Sequence, residues 1–357
     1  GPHAPVASAS VSATTGCASN AACAAGAICR RATGACMALD AGRCRAVADD
    51  ATRRSDDTVW IGVMFPQTGP DAALYGMGSV RAVELGRRDF VDIANGFPRT
   101  TGPARPIGLL VCDDAEDPTS SADHLARVGV PAIIGFSRSK EVLDLAASHF
   151  NPLGILALAS NQAPMLAGIP RAPTGERMVF RTTTSATMVV EPTALFITQE
   201  LAKDVEAASA GRKEPLRVAL LRPQNATGLG YAEAFVRSLR IDGRPLAERP
   251  DSFRQLVRPD VPPTPADLRA TVDELIAYAP HVIMDDYWNG PGLIEAVEAA
   301  WPKGRLRPRW LWGSLSEEDV AALHAKRDLG KRLFRIDTPA STSANARYVL
   351  RHNEVFP

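Results

Sequence analysis

Short apolar runs alternate with segments of helical periodicity between residues 58 and 336, and this alternation constrains the fold more than any other feature of the chain. A strand with one solvent-exposed face alternates apolar and polar residues, and these runs do not. Continuous apolar runs are typical of strands that are buried on both faces. The pattern predicts an α/β fold of two doubly wound parallel-sheet lobes in tandem. The predicted strands are Val59–Phe65, Ile107–Cys112, Val130–Phe136, Gly154–Ala159, Val179–Thr183, Arg217–Leu221, His281–Met284, Arg309–Trp312 and Arg332–Ile336.

Helices are predicted between these strands, because apolar residues there recur with a period near 3.6. Thr119 or Ser120 is the expected N-cap of one helix, and Asp117 before Pro118 is expected in a turn. The proline-rich stretch Pro259–Pro265 is interpreted as a loop. The predicted helices are Ala72–Ile93, Thr119–Val128, Lys140–Phe150, Met188–Leu201, Gly230–Leu239, Leu268–Tyr278, Leu293–Trp301 and Glu317–His324.

The composition excludes several classes of protein. The charges balance, with 40 Lys and Arg against 40 Asp and Glu, which argues against a nucleic-acid binder with a basic face. Hydrophobic residues make up 45% of the 357 residues, too many for a disordered chain. No apolar run approaches the roughly 18 residues of a membrane span. We therefore predict a globular chain of about two domains, with no nucleic acid as partner and no membrane-spanning helix.

Five of the six cysteines lie in one short stretch near the start of the chain. The stretch contains no C-x-x-C pair and no histidine, so we predict disulfides rather than a metal site. Its Ala- and Gly-rich sequence cannot build a core without such bridges, which indicates an oxidising compartment. We expect residues 1–16 to be a tag remnant and flexible tail, and residues 17–48 to be a disulfide module. The cysteines are Cys17, Cys23, Cys29, Cys36 and Cys44, with Cys112 further along the chain.

The pairing of Cys112 has two interpretations. Two bridges among the first five cysteines leave one thiol over, and we predict that Cys44, nearest the main part of the chain, pairs with Cys112. The bridge would fasten the module to the first lobe. Alternatively, Cys112 is a reduced, buried strand residue.

Six segments in order carry a family resemblance. Thr58–Phe356 resembles the type I periplasmic binding proteins, most closely the Leu/Ile/Val-type substrate-binding proteins of ABC transporters. No single segment is diagnostic, but together they cover most of the chain. The cysteine-rich start is similar to segments that open envelope lipoproteins of myxobacteria. The six segments are IGVMFPQTGPDAALYGMGSVRAVELG, LLVCDDAEDPTSSA, VPAIIGFSRSKEV, LASNQAPML, FRTTTSATMVVEPTALFI and RVALLRPQNATGLGYAEAF.

The resemblance implies two lobes joined by a hinge, residues 57–186 and 187–336, with residues 337–357 beginning a return to the first lobe that is cut short. It implies capture of a small polar ligand, such as an amino acid, an amide or a related carboxylate, in the cleft between the lobes. The protein would be a monomer that hands its ligand to a membrane permease. It would be located in the periplasm or the outer cell envelope, with a signal peptide and a lipid anchor as options. The alternative is a ligand-sensing or protein-interaction module of the envelope with the same fold.

Ligand contacts are expected where the parallel strands end, because the carboxyl ends of such strands face the ligand crevice. By resemblance, the loops at 137–139 and 160–162 would meet a substrate carboxylate, and Trp288 would cover the ligand. The candidates in the first lobe are Tyr75, Ser137, Arg138, Ser139, Ser160, Asn161 and Gln162. Those in the second lobe are Thr227, Asp286, Tyr287, Trp288 and Ser314.

Two positions depart from the family pattern. The acidic loop that holds a substrate amino group is replaced by 313–316, which reads Gly-Ser-Leu-Ser, and a family tyrosine is Thr227 here. Asp285 and Asp286 could bind the ammonium group in place of the missing acidic residue. Acids at strand ends are, however, more often solvated or paired with a helix start.

Other interpretations of the candidates stay open. The serines before the helix at residue 140 could be caps, and Tyr75 could pack at the lobe interface. Asp113, Asp114 and Asp117 form an acidic cluster in which a metal is not expected, because Asp117 suits a turn.

We predict no catalytic residue, cofactor or metal. Ser137–Lys140 matches the S-x-x-K motif of penicillin-binding enzymes, but neither S-D-N nor K-T-G follows it. Gly228-Leu229-Gly230 lacks the third glycine of a dinucleotide loop. The third class of function, an enzyme, is therefore the least favoured.

Overall fold

The structure is a computed structural model that describes residues 16–161, 163–209, 214–285, 290–312, 317–326, 328–336 and 342–356. The chain forms two units. The first takes in the described residues up to 161, together with 169–183 and 343–356. The second takes in 163–168 and the described residues from 184 to 342.

The first unit is built on a six-stranded sheet in the order β3-β5-β4-β6-β7-β8. Strand β3 pairs with β5 in the antiparallel direction, and all other pairs in the sheet are parallel. Its elements in chain order are β1 (Ala27–Arg30), β2 (Ala35–Ala38), β3 (Cys44–Val47), α1 (Asp50–Arg54), β4 (Val59–Phe65), α2 (Met77–Ala94), β5 (Ile107–Asp113), α3 (Pro118–Val128), β6 (Ala132–Gly135), α4 (Ser139–Leu145), α5 (Asn151–Leu153), β7 (Leu156–Ala159) and β8 (Val179–Arg181).

Helices cover both faces of this sheet because successive side chains of a strand point to opposite faces. Val63 of β4 and Leu109 of β5 pack against Val80 of α2. Gly62, the neighbour of Val63, faces the other way, where a Cβ atom would lie 3.0 Å from Leu125 of α3. The apolar runs in the sequence are therefore strands with two buried faces, as predicted.

The second unit has a five-stranded sheet in the order β12-β9-β13-β14-β15, and all of its pairs are parallel. A two-stranded hairpin, β10 with β11, lies outside this sheet. The elements are α6 (Ala186–Phe196), α7 (Ala202–Ala208), β9 (Val218–Pro223), α8 (Ala226–Ser238), β10 (Arg240–Ile241), β11 (Arg244–Pro245), β12 (Phe253–Arg258), α9 (Pro265–Tyr278), β13 (Val282–Asp285), α10 (Gly290–Ala300), β14 (Arg309–Trp312), α11 (Glu317–His324) and β15 (Leu333–Arg335).

The same alternation divides the core of the second unit. Leu220 and Met284 pack on one face with Phe235 of α8. Their chain neighbours Leu221 and Ile283 pack on the other face in one cluster with α9 and α10. Both units are thus doubly wound, and the predicted fold class is confirmed. The last helix, α12 (Ser343–Val355), packs against α2 of the first unit.

The cysteine-rich segment is part of the first unit. Its bridges are Cys17–Cys29, Cys23–Cys36 and Cys44–Cys112, and the last of these confirms the predicted pairing. The alternative of a reduced Cys112 is wrong: the residue lies directly opposite Cys44 in the β3–β5 ladder. The third strand of the segment therefore extends the sheet of the first unit.

Polar contacts fasten the same segment to α3. The Arg30 guanidinium donates to the Ala126 carbonyl at 2.6 Å, in the last turn of α3, where a cation complements the helix dipole. A ring nitrogen of His124 lies 3.0 Å from the Leu39 carbonyl, so its N–H donates there. Burial lowers the pKa of His124, which favours the neutral form of the ring in this contact.

Two details of the sequence prediction were wrong. The N-cap of α3 is Asp117, whose carboxylate accepts from the Ser120 N–H at 2.8 Å, and not Thr119 or Ser120. Pro118 fits the first helical position because it has no N–H to leave unpaired there, so the cap must precede it. Pro265 is likewise the first residue of α9 rather than a loop residue.

All nine predicted strands and all eight predicted helices overlap an observed element. The strands that the prediction missed are β1, β2, β3, β10, β11 and β12. Within the described part of the chain, no helix combines the length and the apolar character that a membrane crossing requires.

Candidate functional site

The loop after β6 is held in a fixed shape at the carboxyl edge of the first sheet. Gly135 has φ 154°, and a Cβ atom there would lie 2.0 Å from the Met64 carbonyl oxygen. Phe136 follows with φ 73°, a left-handed conformation that is strained for a bulky residue. Its N–H donates to the Met64 carbonyl at 2.8 Å, and its ring packs edge-on against Phe150. These contacts fix the point at which Ser137 leaves the sheet.

The neighbouring loop after β7 is tied to this one. Ser160 donates through its N–H to the Gly135 carbonyl at 3.2 Å and through its hydroxyl to the Phe136 carbonyl at 3.3 Å. Asn161 is 6% exposed, and its side-chain oxygen receives no hydrogen bond from any described residue. The structure thus brings the predicted residues Ser137, Ser160 and Asn161 to one edge of the sheet.

The other candidates of the first unit differ in exposure. The exposed Arg138 forms an ion pair with Asp71 at 2.6 Å, so its guanidinium already has an anionic partner in the same unit. Ser139 is buried as the first residue of α4. Tyr75 lies in the turn of π-helix that precedes α2, and its side chain is 37% exposed.

The acids after β5 do not behave as one cluster. Burial alone would raise the pKa of Asp113, but hydrogen bonds from Thr68, Gln67 and Ala115, together with the Arg43 charge, outweigh it and hold that pKa below its ordinary value. Asp117 is engaged as the helix cap described above. Asp114 therefore differs from the other two acids, which are held by hydrogen bonds.

Asp114 is 1% exposed, and neither carboxyl oxygen receives a hydrogen bond from any other residue in the described ranges. Burial raises the pKa of Asp114 to about 7, and the nearby Glu141 charge adds to the rise. Burial likewise raises the pKa of Glu141 to about 7, against the lowering effect of a hydrogen bond from the Arg138 backbone. One Glu141 oxygen is also buried without a partner among the described residues. The first unit therefore carries one buried carboxyl group, Asp114, and one half-buried carboxyl group, Glu141, that take up protons near neutral pH.

The second unit contains a cavity of about 30 Å³ where its parallel strands end. That volume holds a water molecule or one small polar head group. Asp285, the last residue of β13, is 3% exposed and is one of the lining residues. The lining residues, all from the second unit, are Thr193, Leu220, Tyr231, Met284, Asp285, Leu311, Trp312 and Ile336.

Thr227 lies close to the start of α8, which Asn225 caps by accepting from the Gly228 N–H at 2.9 Å. A Cβ atom at Gly230 would lie 2.5 Å from Pro164, so this glycine permits close packing within the second unit. The packing against Pro164 explains why residue 230 is a glycine, and a dinucleotide-binding loop is not needed to explain it.

Five predicted contacts lie outside the described residues and stay predictions: Gln162, Asp286, Tyr287, Trp288 and Ser314. Conversely, sequence reasoning did not select Thr193, Tyr231 or Glu141. The first two lie within helices, where no local signal tells which side chain faces a cavity. Glu141 sits in the first turn of α4, a common place for a solvated acid.

Comparison with solved structures gives the fold. A solute-binding protein of an ABC transporter from R. palustris, in complex with benzoate, aligns with TM-score 0.56 and 15% identity over 84% of this chain and 74% of that one. A fatty acid ABC transporter substrate-binding protein from Thermomonospora curvata aligns with TM-score 0.57 and 16% identity over 85% and 70%. A substrate-binding protein from Desulfitobacterium hafniense, in complex with Leu, aligns with TM-score 0.53 and 17% identity over 84% and 77%.

No family model and no curated protein matches the sequence. Sequence identities of 15–17% indicate a shared fold and nothing more. The two doubly wound units and the structural alignments agree, and the chain has the fold of the substrate-binding proteins of ABC transporters.

Proposed function

We propose that the chain is an extracytoplasmic solute-binding protein that captures a small polar ligand for an ABC importer. Binding uses non-covalent contacts at strand ends and no covalent chemistry. The observation that carries the proposal is that, in each unit, polar groups suited to a ligand are found at the carboxyl edge of the parallel sheet. Such edges are where open α/β sheets bind ligands.

The first unit would hold the ligand by hydrogen bonds. The side-chain oxygen of Asn161 is an acceptor in a buried position, and an unpaired buried acceptor costs about 1–3 kcal/mol until a donor reaches it. The strained backbone at Phe136 is a second reason to propose that the ligand binds at this edge, because backbone strain concentrates at functional sites.

The cellular setting follows from the same proposal. Three disulfides suit an oxidising compartment. We place the protein in the periplasm or outer envelope as a monomer, with a membrane permease as its partner, and a lipid anchor remains part of the proposal. Trp288 is proposed to cover the ligand.

A thermal-shift screen tests the function. We expect at least one compound in a panel of leucine, benzoate, 4-hydroxybenzoate, short amides and fatty acids to raise the melting temperature. A ligand at 100 times its dissociation constant adds about 2.7 kcal/mol of stability.

The controls use variants of the same chain. Asn161→Ala should reduce the shift, whereas Asp273→Asn, at an exposed position of α9, should leave it unchanged. A broad panel without any shift, or a shift of the same size in both variants, would count against binding at this edge.

A further inference from the structure

The loop from Ser137 to Ser139 is held at its first end by the contacts of Phe136 and Ser160 described above. Its second end is the start of α4. Arg138 is the N-cap residue of that helix, and its side chain gives the helix no capping hydrogen bond. An arginine side chain has no acceptor group, so it cannot cap a helix as serine, threonine or aspartate does. The start of α4 therefore needs a contact from another side chain.

Glu141 supplies this contact. It is the third residue of α4, and its carboxyl group accepts a hydrogen bond from the Arg138 N–H. This is one half of a capping box, in which a glutamate of the first turn reaches back to the N-cap backbone. A hydrogen bond to a carboxylate is stronger than one to a neutral acceptor, so the strength of this bond depends on the charge of Glu141.

The surroundings of Glu141 make its charge sensitive to pH. One of its oxygens is buried without a partner among the described residues. Burial raises the pKa of Glu141 to about 7. Burial, and after it the Glu141 charge, raises the pKa of Asp114, which favours a protonated Asp114 while Glu141 is ionised. Of the two acids, Glu141 is therefore the one that carries the charge first as the pH rises.

Other charged groups close to Glu141 are engaged in ion pairs. The charges of Asp71 and Asp144 disfavour ionisation of Glu141, whereas the Arg138 guanidinium favours it. Asp71 is ion-paired with Arg138 at 2.6 Å, and Asp144 is ion-paired with Lys140. The opposing charges near Glu141 thus partly cancel, and burial remains the main cause of its raised pKa.

Helix α3 also packs against α4. The Asp123 carboxylate of α3 lies 2.9 Å from a ring nitrogen of His149, and the Arg127 charge acts on His124. These side chains are engaged with groups other than Glu141.

We infer that Glu141 is a positioning residue for the loop Ser137–Ser139, and that gain or loss of its proton decides how firmly the loop is held. Ionised Glu141 holds the Arg138 N–H strongly and fixes the loop, whereas protonated Glu141 holds it weakly. The inference rests on the proposed function, which places ligand contacts at this edge of the sheet, and it adds control of that edge by a proton. The loop is then held most firmly above about pH 7 and loosens below it.

NMR of the Arg138 amide in the full chain tests this role without any ligand. Ser137-Arg138 is the only serine–arginine step in the sequence. A protein labelled with ¹³C at the serine carbonyls and ¹⁵N at arginine therefore gives one amide signal from a directly bonded ¹³C–¹⁵N pair. Arg138→Lys removes that signal and so confirms its assignment. The chemical shift of this amide and its protection against hydrogen exchange are measured from pH 5 to pH 8.

We expect the Arg138 amide proton to move downfield as Glu141 ionises, with an inflection at about pH 7. Protection should rise roughly tenfold over the same range, because the acceptor gains a charge. Glu141→Gln keeps an acceptor oxygen but cannot ionise, so its signal should not titrate. Asp114→Asn should keep the inflection, and Asp273→Asn, at an exposed position, is the control that should leave the profile unchanged.

The assignment is overturned by a wild-type signal without an inflection, or by an inflection that survives in Glu141→Gln. Loss of the inflection in Asp114→Asn would also overturn it, since Asp114 would then be the titrating group. The wild-type titration stands even if a variant does not fold. Because this experiment contains no ligand, binding in the thermal screen together with a flat Arg138 signal would support solute binding and reject the positioning role.

Discussion

Replacing Cys44 and Cys112 together by alanine is expected to lower the free energy of unfolding of the first unit by roughly 4 kcal/mol, the entropic effect of opening a loop of this length. The bridge closes a separation of 68 residues, the longest of the three. It also fastens β3 onto β5, which would otherwise be the edge strand of the sheet. An uncovered edge presents unpaired backbone groups and invites association with other chains. Urea unfolding and amide hydrogen exchange of β5 are the measurements.

The matched control removes Cys17 and Cys29, whose separation is 12 residues. That bridge constrains the segment before the sheet, so we expect faster exchange there and unchanged protection in β5. Equal exchange of β5 amides in the wild type and in the Cys44/Cys112 variant would show that the bridge does not support the sheet.

Asp114→Asn is expected to make the protein more stable than the wild type at pH 8, and this difference should shrink as the pH falls toward 4. The folded protein keeps a proton on Asp114 up to about pH 7, whereas the unfolded chain releases it near its ordinary pKa of 3.8. Between pH 3.8 and about pH 7, the chain therefore takes up a proton when it folds. Stability from this group is fully present below the lower pKa and is lost as the pH rises through the upper one.

The size of the effect follows from the shift. About three pKa units correspond to roughly 4 kcal/mol between the two protonation states, and Glu141 shifts in the same direction. Asparagine has nearly the same shape and does not ionise, so the variant avoids this cost at high pH. Melting temperatures measured from pH 4 to pH 8 should diverge by several degrees toward the alkaline end.

Asp273→Asn is the control for a general effect of charge, because residue 273 is exposed. Parallel melting curves for the wild type and Asp114→Asn across the whole pH range would mean that the Asp114 carboxyl does not carry the proton.

The fold could be predicted from the sequence where local pattern and burial coincide. β4 and β14 match their predicted bounds because their side chains are nearly all buried, and apart from Arg309 at the start of β14 their sequences carry no charged residue. β12 was missed because it lies at the edge of its sheet: Arg254 and Gln255 are exposed, and its residues resemble those of a loop. The strands of the cysteine-rich segment are four residues long and contain small residues, so no periodicity indicates them.

The site was harder to predict from the sequence, because the behaviour of its polar side chains depends on how deeply they are buried and not on residue type alone. An aspartate after a strand is ordinarily solvated, and nothing near Asp114 in the sequence shows that both of its oxygens are enclosed. The position of Asn161 was predicted from topology, since it follows a parallel strand. Its unpaired oxygen depends on how neighbouring loops close around it.

Isothermal titration with the compound that gives the largest thermal shift measures whether a ligand binds reversibly at the strand ends. We expect one ligand bound per chain and recovery of the compound chemically unchanged. We also expect Asn161→Ala to weaken the affinity roughly tenfold, the effect of losing a buried hydrogen bond. No heat of binding, a chemically altered compound, or full affinity in the Asn161→Ala protein would contradict reversible binding at this position.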